Sequence, residues 1–223
     1  MDKKLFKQAI AKFVLGLFSI ASLLFIPAGT IYWMNAWILI GLLFIPMIIV
    51  GMILLIKNPD LLRKRLNTKE KETEQKAVVA LSGMMFLSGF IIAGLNYRFN
   101  WFVLPSFITL IFSIIFAVAY ILYAEVMREN TFLSRTIEVQ ENQQVIDTGL
   151  YGIVRHPMYS ATLLLFLSIP LILGSFFSFL IFLIYPVIIA KRIKHEELVL
   201  EKELEGYLEY KKKVKYKLIP LIW

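Results

Sequence analysis

Four stretches of this chain carry no Asp, Glu, Lys, Arg or His: Phe13 to Ile56, Ala77 to Tyr97, Phe99 to Ala124, and Pro157 to Ala190. Charge segregated in this way leaves few folds open. A helix that crosses the hydrocarbon of a bilayer needs about 20 predominantly apolar residues, with its backbone hydrogen bonds satisfied internally. The first run, 44 residues long, holds two such spans with a turn near Tyr32-Trp33-Met34-Asn35. The second and third hold one each. A hydrophobic content of 59% and a mean hydropathy of +0.72 exclude a soluble domain of this length. Lys3, Lys4 and Lys7 ahead of an apolar core also suit a signal peptide. The apolar run continues past signal-peptide length, however, and Pro27-Ala28-Gly29-Thr30 is a poor small-x-small cleavage site. The absence of cysteine removes disulfides, thiolate metal sites and a cysteine nucleophile from consideration, and no metal is implied.

The net charge of +8 invites a nucleic-acid reading, but its placement argues for topology. Lysines and arginines number four before Phe13, seven in Lys57–Lys76, one between the third and fourth spans, three in Glu125–His156 and nine after Ala190. By the positive-inside rule both termini and the 57–76 loop face the cytoplasm. Four spans then return the chain to the cytoplasm at Glu125. The 31 residues from Ser160 to Ala190 must cross and come back if the nine-cation tail is to stay inside. Each arm would have about 15 residues, roughly 22 Å at 1.5 Å per residue. The expectation is a short, tilted or partly re-entrant helical hairpin turning near Gly174-Ser175. The fold class is therefore all-α: a polytopic helical membrane protein with four full spans, that hairpin and a cytoplasmic amphipathic C-terminal helix. Residues 1–124 form the spans, and residues 125–223 form a cofactor-binding and catalytic half of the same single domain.

One of only two histidines lies in Gly149-Leu150-Tyr151-Gly152-Ile153-Val154-Arg155-His156-Pro157-Met158-Tyr159, set against the last apolar run. Arg155 and His156 offer donors to an anion. Pro157 pre-sets a helical turn whose free N–H groups and positive dipole end favour the same charge. Downstream, at about 100° per residue, Ile193, Leu200, Leu204, Tyr207 and Leu208 share one face of a helix over 191–210. Glu196 and Glu197 fall on the two flanks of that face, while Lys191, Lys194, His195, Lys202, Glu205 and Glu209 lie opposite. A solvated Glu-Glu pair would sit among the lysines, and this one does not. Leu198 breaks the pattern, and Gly206 weakens the helix.

At these residues the chain resembles the isoprenylcysteine carboxyl methyltransferase and phospholipid methyltransferase family of integral membrane enzymes. Gly149 to Tyr159 carries the family's Gly-x-Tyr, spacer and Val-Arg-His-Pro-x-Tyr. Upstream, Asn130-Thr131-Phe132-Leu133-Ser134 and Ile137-Glu138-Val139-Gln140 resemble its Asn-x-Phe-Ser and the strand-like segment that follows. Downstream, Arg192, Glu196-Glu197, Leu204-Glu205-Gly206-Tyr207 and Tyr210 follow its C-terminal pattern, as do Val214, Tyr216, Leu218-Ile219-Pro220 and Trp223. The likeness covers residues 125–223; before that only Asn58-Pro59 through Arg65 is suggestive. Leu150 stands where many relatives have proline, and Ala161 where many have glycine. Neither change removes a ligand group.

The resemblance implies S-adenosylmethionine as cofactor. Gly149, Tyr151, Val154, Arg155, His156, Pro157, Tyr159, Glu196, Glu197 and Tyr207 would bind it, and Arg192 and Glu197 would be catalytic. Arg155, His156 and the Pro157 helix start suit its carboxylate, Glu196 and Glu197 its ammonium and hydroxyls, and the tyrosines its adenine and sulfonium. Taken singly, each tyrosine also fits an interfacial aromatic belt, and Arg155 a topology charge. The acceptor implied is lipid-borne, reached from the bilayer, and either a carboxylate or an amine. A nicotinamide-dependent membrane reductase of the sterol reductase type is the enzymatic alternative. A lipid-binding or transport subunit is the other, although such proteins place polar groups in mid-membrane. The implied location is the cytoplasmic membrane of a prokaryote.

Overall fold

A computed structural model describes residues 3–67, 73–134 and 136–223, so residues 68–72 of the basic 57–76 loop lie outside the described part. The 44-residue run forms helices α1 (Lys3–Ala28) and α2 (Met34–Lys57). Gly29 turns the chain between them at φ 69°. Helix α3 (Pro59–Leu66) is short; Asn58 caps it by accepting from Leu61 N at 3.1 Å, and Pro59 opens its first turn. Helices α4 (Thr73–Phe99) and α5 (Ser106–Glu129) follow. Five helical stretches among the described residues are long and apolar enough to cross a membrane. The molecule is an all-helical, polytopic membrane protein. Ile137–Gln140, which resembles a strand in sequence, is irregular; the β-pairing among the described residues is one isolated bridge, Val103 with Ser175.

The last apolar run is a hairpin of α6 (Pro157–Ile172), α7 (Phe176–Phe182) and α8 (Tyr185–Glu203). Its turn falls at Gly174-Ser175, as the charge distribution predicts. Gly174 takes φ 73°, and the Ser175 hydroxyl caps α7 by accepting from Ser178 N at 3.3 Å. Two features differ from expectation. The arms are unequal: α6 has 16 residues, about 24 Å, whereas α7 and α8 together make a stretch of 28. The amphipathic helix read over 191–210 is not separate either. It is the polar end of α8, which stops at Glu203; Gly206 at φ 82° then turns the chain into α9 (Tyr207–Lys213). Helical hydrogen bonding continues across the point where charge begins, because the backbone does not register hydropathy. A left-handed glycine does interrupt it.

The turn also fixes the depth of the hairpin. Leu104 N, between α4 and α5, donates to Gly174 O at 3.0 Å, so the turn lies against the loop at that end of the bundle. The hairpin therefore crosses the bundle and does not dip into it part-way. Its close approach to α4 depends on Gly89, where a Cβ would lie 2.3 Å from the Phe182 ring. Ser178 Oγ donates to the Gly89 carbonyl at 2.9 Å. Phe86 then meets Phe166 and Phe182 edge-on, with centroids 4.8 and 5.3 Å away, and joins α4, α6 and α7. At the opposite end Arg65 contacts both Tyr123 and Met158. The six residues of α5 beyond Tyr123 thus overhang the start of α6, by about 9 Å at 1.5 Å per residue.

This arrangement makes a topological prediction. The chain has no cysteine, so single cysteines introduced at Lys64, Glu141 and Lys212 report unambiguously. An impermeant thiol reagent should reach all three from the cytoplasmic side. Labelling of position 212 from the other side would contradict the hairpin.

Candidate active site

The overhanging end of α5 organises the polar segment. Glu129 accepts from the Thr148 hydroxyl at 3.0 Å and from Leu150 N at 3.2 Å. The chain wraps this carboxylate closely because Gly149, at φ 48°, has no side chain; a Cβ there would lie 2.1 Å from Glu129 Oε1. A 3₁₀ turn over Gly149–Gly152 follows and presents Tyr151 inward. Asn130 Nδ2 donates to the Tyr151 hydroxyl at 3.0 Å, while Asn130 Oδ1 accepts from Phe132 N at 2.9 Å. The Tyr210 hydroxyl donates to the Tyr151 carbonyl at 2.7 Å and ties α9 to the turn.

Arg155, His156 and Glu197 meet, but chiefly with one another. Arg155 Nε donates to Glu197 Oε1 at 2.8 Å, and His156 Nε2 lies 3.3 Å from the same oxygen. Lys217 Nζ is 3.0 Å from Glu197 Oε2. The Arg155 guanidinium also donates to the Val214 and Lys215 carbonyls at 2.7 and 2.8 Å. Backbone bonds complete the seam: Arg155 N to Tyr216 O and His156 N to Lys217 O, both 2.9 Å. The C-terminal segment is thereby strapped over the turn before α6, and Ser160 Oγ fastens it further by donating to Leu218 O at 2.6 Å. Glu197 and Arg155 are 3% and 6% exposed, so this ion pair is buried and its partners are internal.

Beside this centre opens a cleft of about 860 Å³, counted to its open mouth. One wall is the irregular chain of residues 130–134 and 136–146, where Thr136 Oγ1 donates to Glu138 Oε1 at 3.1 Å. The other walls come from the start of α6, from α8 and from α9. Glu196, the flank partner of Glu197, faces this space and accepts from the Tyr159 hydroxyl at 2.5 Å. Arg192 Nε donates to the same hydroxyl at 2.9 Å. The His156 ring lies nearly parallel to that of Tyr159, with centroids 5.8 Å apart. Tyr207 also lines the cleft, and its buried hydroxyl has no hydrogen-bond partner among the described residues. Burial, reinforced by the charges of Glu197 and Glu196, pushes that phenol above its ordinary range, so it remains a protonated donor at neutral pH.

The structure thus sorts the residues singled out from sequence. Tyr151, Arg155, His156, Tyr159, Arg192, Glu196 and Tyr207 line the cleft. Gly149, Val154, Pro157 and Glu197 are not in the cleft lining: Gly149 lies on Glu129, Glu197 is in the buried ion pair, Val154 is buried just before Arg155 in sequence, and Pro157 is buried at the α6 start. Sequence reasoning missed Lys217, hidden in a lysine-rich tail that reads as topology charge. It also missed Gln75, whose Oε1 accepts from Arg192 Nη1 at 3.2 Å. No local pattern distinguishes either residue from its neighbours.

Fold and site together define a helical membrane protein that gathers its polar chemistry in one cleft at the end of the bundle. Residues 106–205 match the family model of phospholipid methyltransferase, so over this stretch the chain is similar to that family of membrane methyltransferases. The matched region opens at the first residue of α5 and closes just after α8. No curated protein matches the chain.

Proposed function

We propose that the cleft binds S-adenosylmethionine and that the protein transfers a methyl group to a lipid-borne acceptor, a carboxylate of the isoprenylcysteine type. The observation that carries this reading is the buried, unpartnered Tyr207 hydroxyl in a cleft that also presents the Glu196 carboxylate and aromatic faces. A buried donor without a partner is costly, and a ligand acceptor relieves that cost. When bound, the cofactor supplies an electrophilic methyl group on a cationic sulfonium. Glu196 is the cleft carboxylate suited to an ammonium or a hydroxyl pair, and Tyr151, Tyr159 and Tyr207 offer π-faces to a cation. Glu197 serves by holding Arg155 and His156 in place.

The remaining work of the protein is alignment. A carboxylate acceptor is already ionised at neutral pH and requires no general base. Arg192, held by Tyr159, provides a cation for it, while the cleft walls bring the reacting groups together. An amine acceptor would give up a proton, and Glu196 is placed to take it. Both termini are cytoplasmic in this reading. The location is the cytoplasmic membrane of a prokaryote, with the cofactor entering from water and the acceptor from lipid.

Calorimetry on the purified protein in detergent tests the proposal. S-adenosylmethionine should bind and NADPH should not. Tyr207→Phe removes a neutral hydrogen bond and should weaken binding about three- to tenfold; Glu196→Gln removes a charged acceptor and should cost about ten- to hundredfold. Unchanged affinity in both variants, or a preference for NADPH, would refute this reading.

A further inference from the structure

A second buried donor lacks a partner, and it lies outside the cleft lining. Gln75, near the start of α4, is 1% exposed, and its Nε2 makes no hydrogen bond among the described residues. Its Oε1 faces Arg192. A guanidinium offers only donors, so the amide oxygen must be the atom turned toward it, and the NH₂ must point elsewhere. The contact therefore fixes the orientation of the amide. It also makes Gln75 the far end of a polar chain that runs through Arg192 and the Tyr159 hydroxyl to Glu196 in the cleft. This chain bridges α4 and α8, which pack together, and the next residues along α4, Lys76 and Ala77, are exposed. A lipid-borne group could reach this seam from the bilayer side while the cleft stays open to water on the other.

We propose that Gln75 Nε2 donates a hydrogen bond to an anionic oxygen of the acceptor, a carboxylate or a lipid phosphate, and positions that headgroup beside Arg192. The inference deepens the methyl-transfer reading above and rests on it for the word acceptor. The geometry itself needs only an oxyanion carried by an apolar tail. An amide NH₂ next to a guanidinium is a donor pair suited to such an oxygen and unsuited to an ammonium. Gln75 would be a positioning residue, making no contact with the transferred carbon.

The test uses the full chain in uncharged maltoside micelles and measures binding of three probes: N-acetyl-S-farnesylcysteine, lysophosphatidic acid, and farnesol as the tail without an anion. The wild type should bind at least one anionic probe more tightly than farnesol, and which one it prefers identifies the source of the oxyanion. Glu at this position still accepts from Arg192, so Gln75→Glu preserves the internal contact while removing the donor. It should weaken the anionic probe about ten- to hundredfold and leave farnesol unchanged. Gln75→Met, which loses both contacts without adding charge, should weaken it in the same direction. Equal binding of the anionic probe by wild type and Gln75→Glu, or no wild-type preference over farnesol, would overturn the proposal. S-adenosylmethionine binding on the same samples separates the two readings. If the cofactor binds and the Gln75 effect is missing, only the headgroup socket falls. If the Gln75 effect is present without cofactor binding, only methyl transfer falls.

Discussion

Replacing Glu197 by alanine should destabilise the folded protein by about 3–5 kcal/mol, the usual cost of stranding one partner of a buried ion pair. The Glu197 carboxylate is nearly inaccessible, and it gathers Arg155, His156 and Lys217 around its two oxygens. Without it, Arg155 keeps its two carbonyl acceptors on the C-terminal strap but stays buried with an uncompensated charge. The strap itself loses Lys217, whose ammonium has Glu197 as its carboxylate partner at 3.0 Å. Glu197→Gln retains an acceptor of the same shape and should cost less. The double variant Arg155→Met with Glu197→Leu should be less damaging than the two single changes summed, because neither charge is then left alone. Thermal unfolding in detergent, followed by circular dichroism, measures the wild type, each of these variants, and Arg155→Met and Glu197→Leu singly. A Glu197→Ala protein as stable as the wild type, impaired only in cofactor binding, would return Glu197 to the ligand site where the sequence reading had it.

Gly149→Ala should be nearly as severe for its size, with a loss of at least ~2 kcal/mol, since two independent costs coincide. The residue sits at φ 48°, where a side chain is disfavoured by roughly 1–2 kcal/mol. The added Cβ would also lie 2.1 Å from a Glu129 oxygen, so the chain cannot keep its grip on that carboxylate. Relief requires Thr148 and Leu150 to release Glu129, which frees the turn that presents Tyr151 to the cleft. The protein should therefore lose cofactor affinity together with stability. Glu129→Ala empties the space that the new methyl would fill, so adding Gly149→Ala to it should cost only the conformational penalty relative to Glu129→Ala alone. Equal stability of wild type and Gly149→Ala in the same unfolding assay would show that the wrap around Glu129 is dispensable.

The membrane architecture was legible because it follows from one-dimensional quantities. Length without charge locates a span. For the same reason the hairpin at Gly174-Ser175 is expected once the positive-inside rule is applied to the nine-cation tail. The motif residues were legible as a group: Tyr151, Arg155, His156, Tyr159, Arg192, Glu196 and Tyr207 do converge on one cleft.

What the chain could not disclose in one dimension was which charge meets which. Glu196 and Glu197 are adjacent and chemically identical, and a helical wheel puts both on the flanks of an apolar face. Only the packing of α8 against the 149–156 turn turns one toward the cleft and buries the other against Arg155. Gln75 and Lys217 lie 117 and 20 residues in sequence from Arg192 and Glu197, respectively, and no periodicity links those positions. Hydropathy and helical period are properties of neighbours along the chain, so the sequence determined the spans, the hairpin and the set of polar residues at one end. Partnership between side chains depends on distances of about 3 Å between distant segments, and those exist only once the helices have packed.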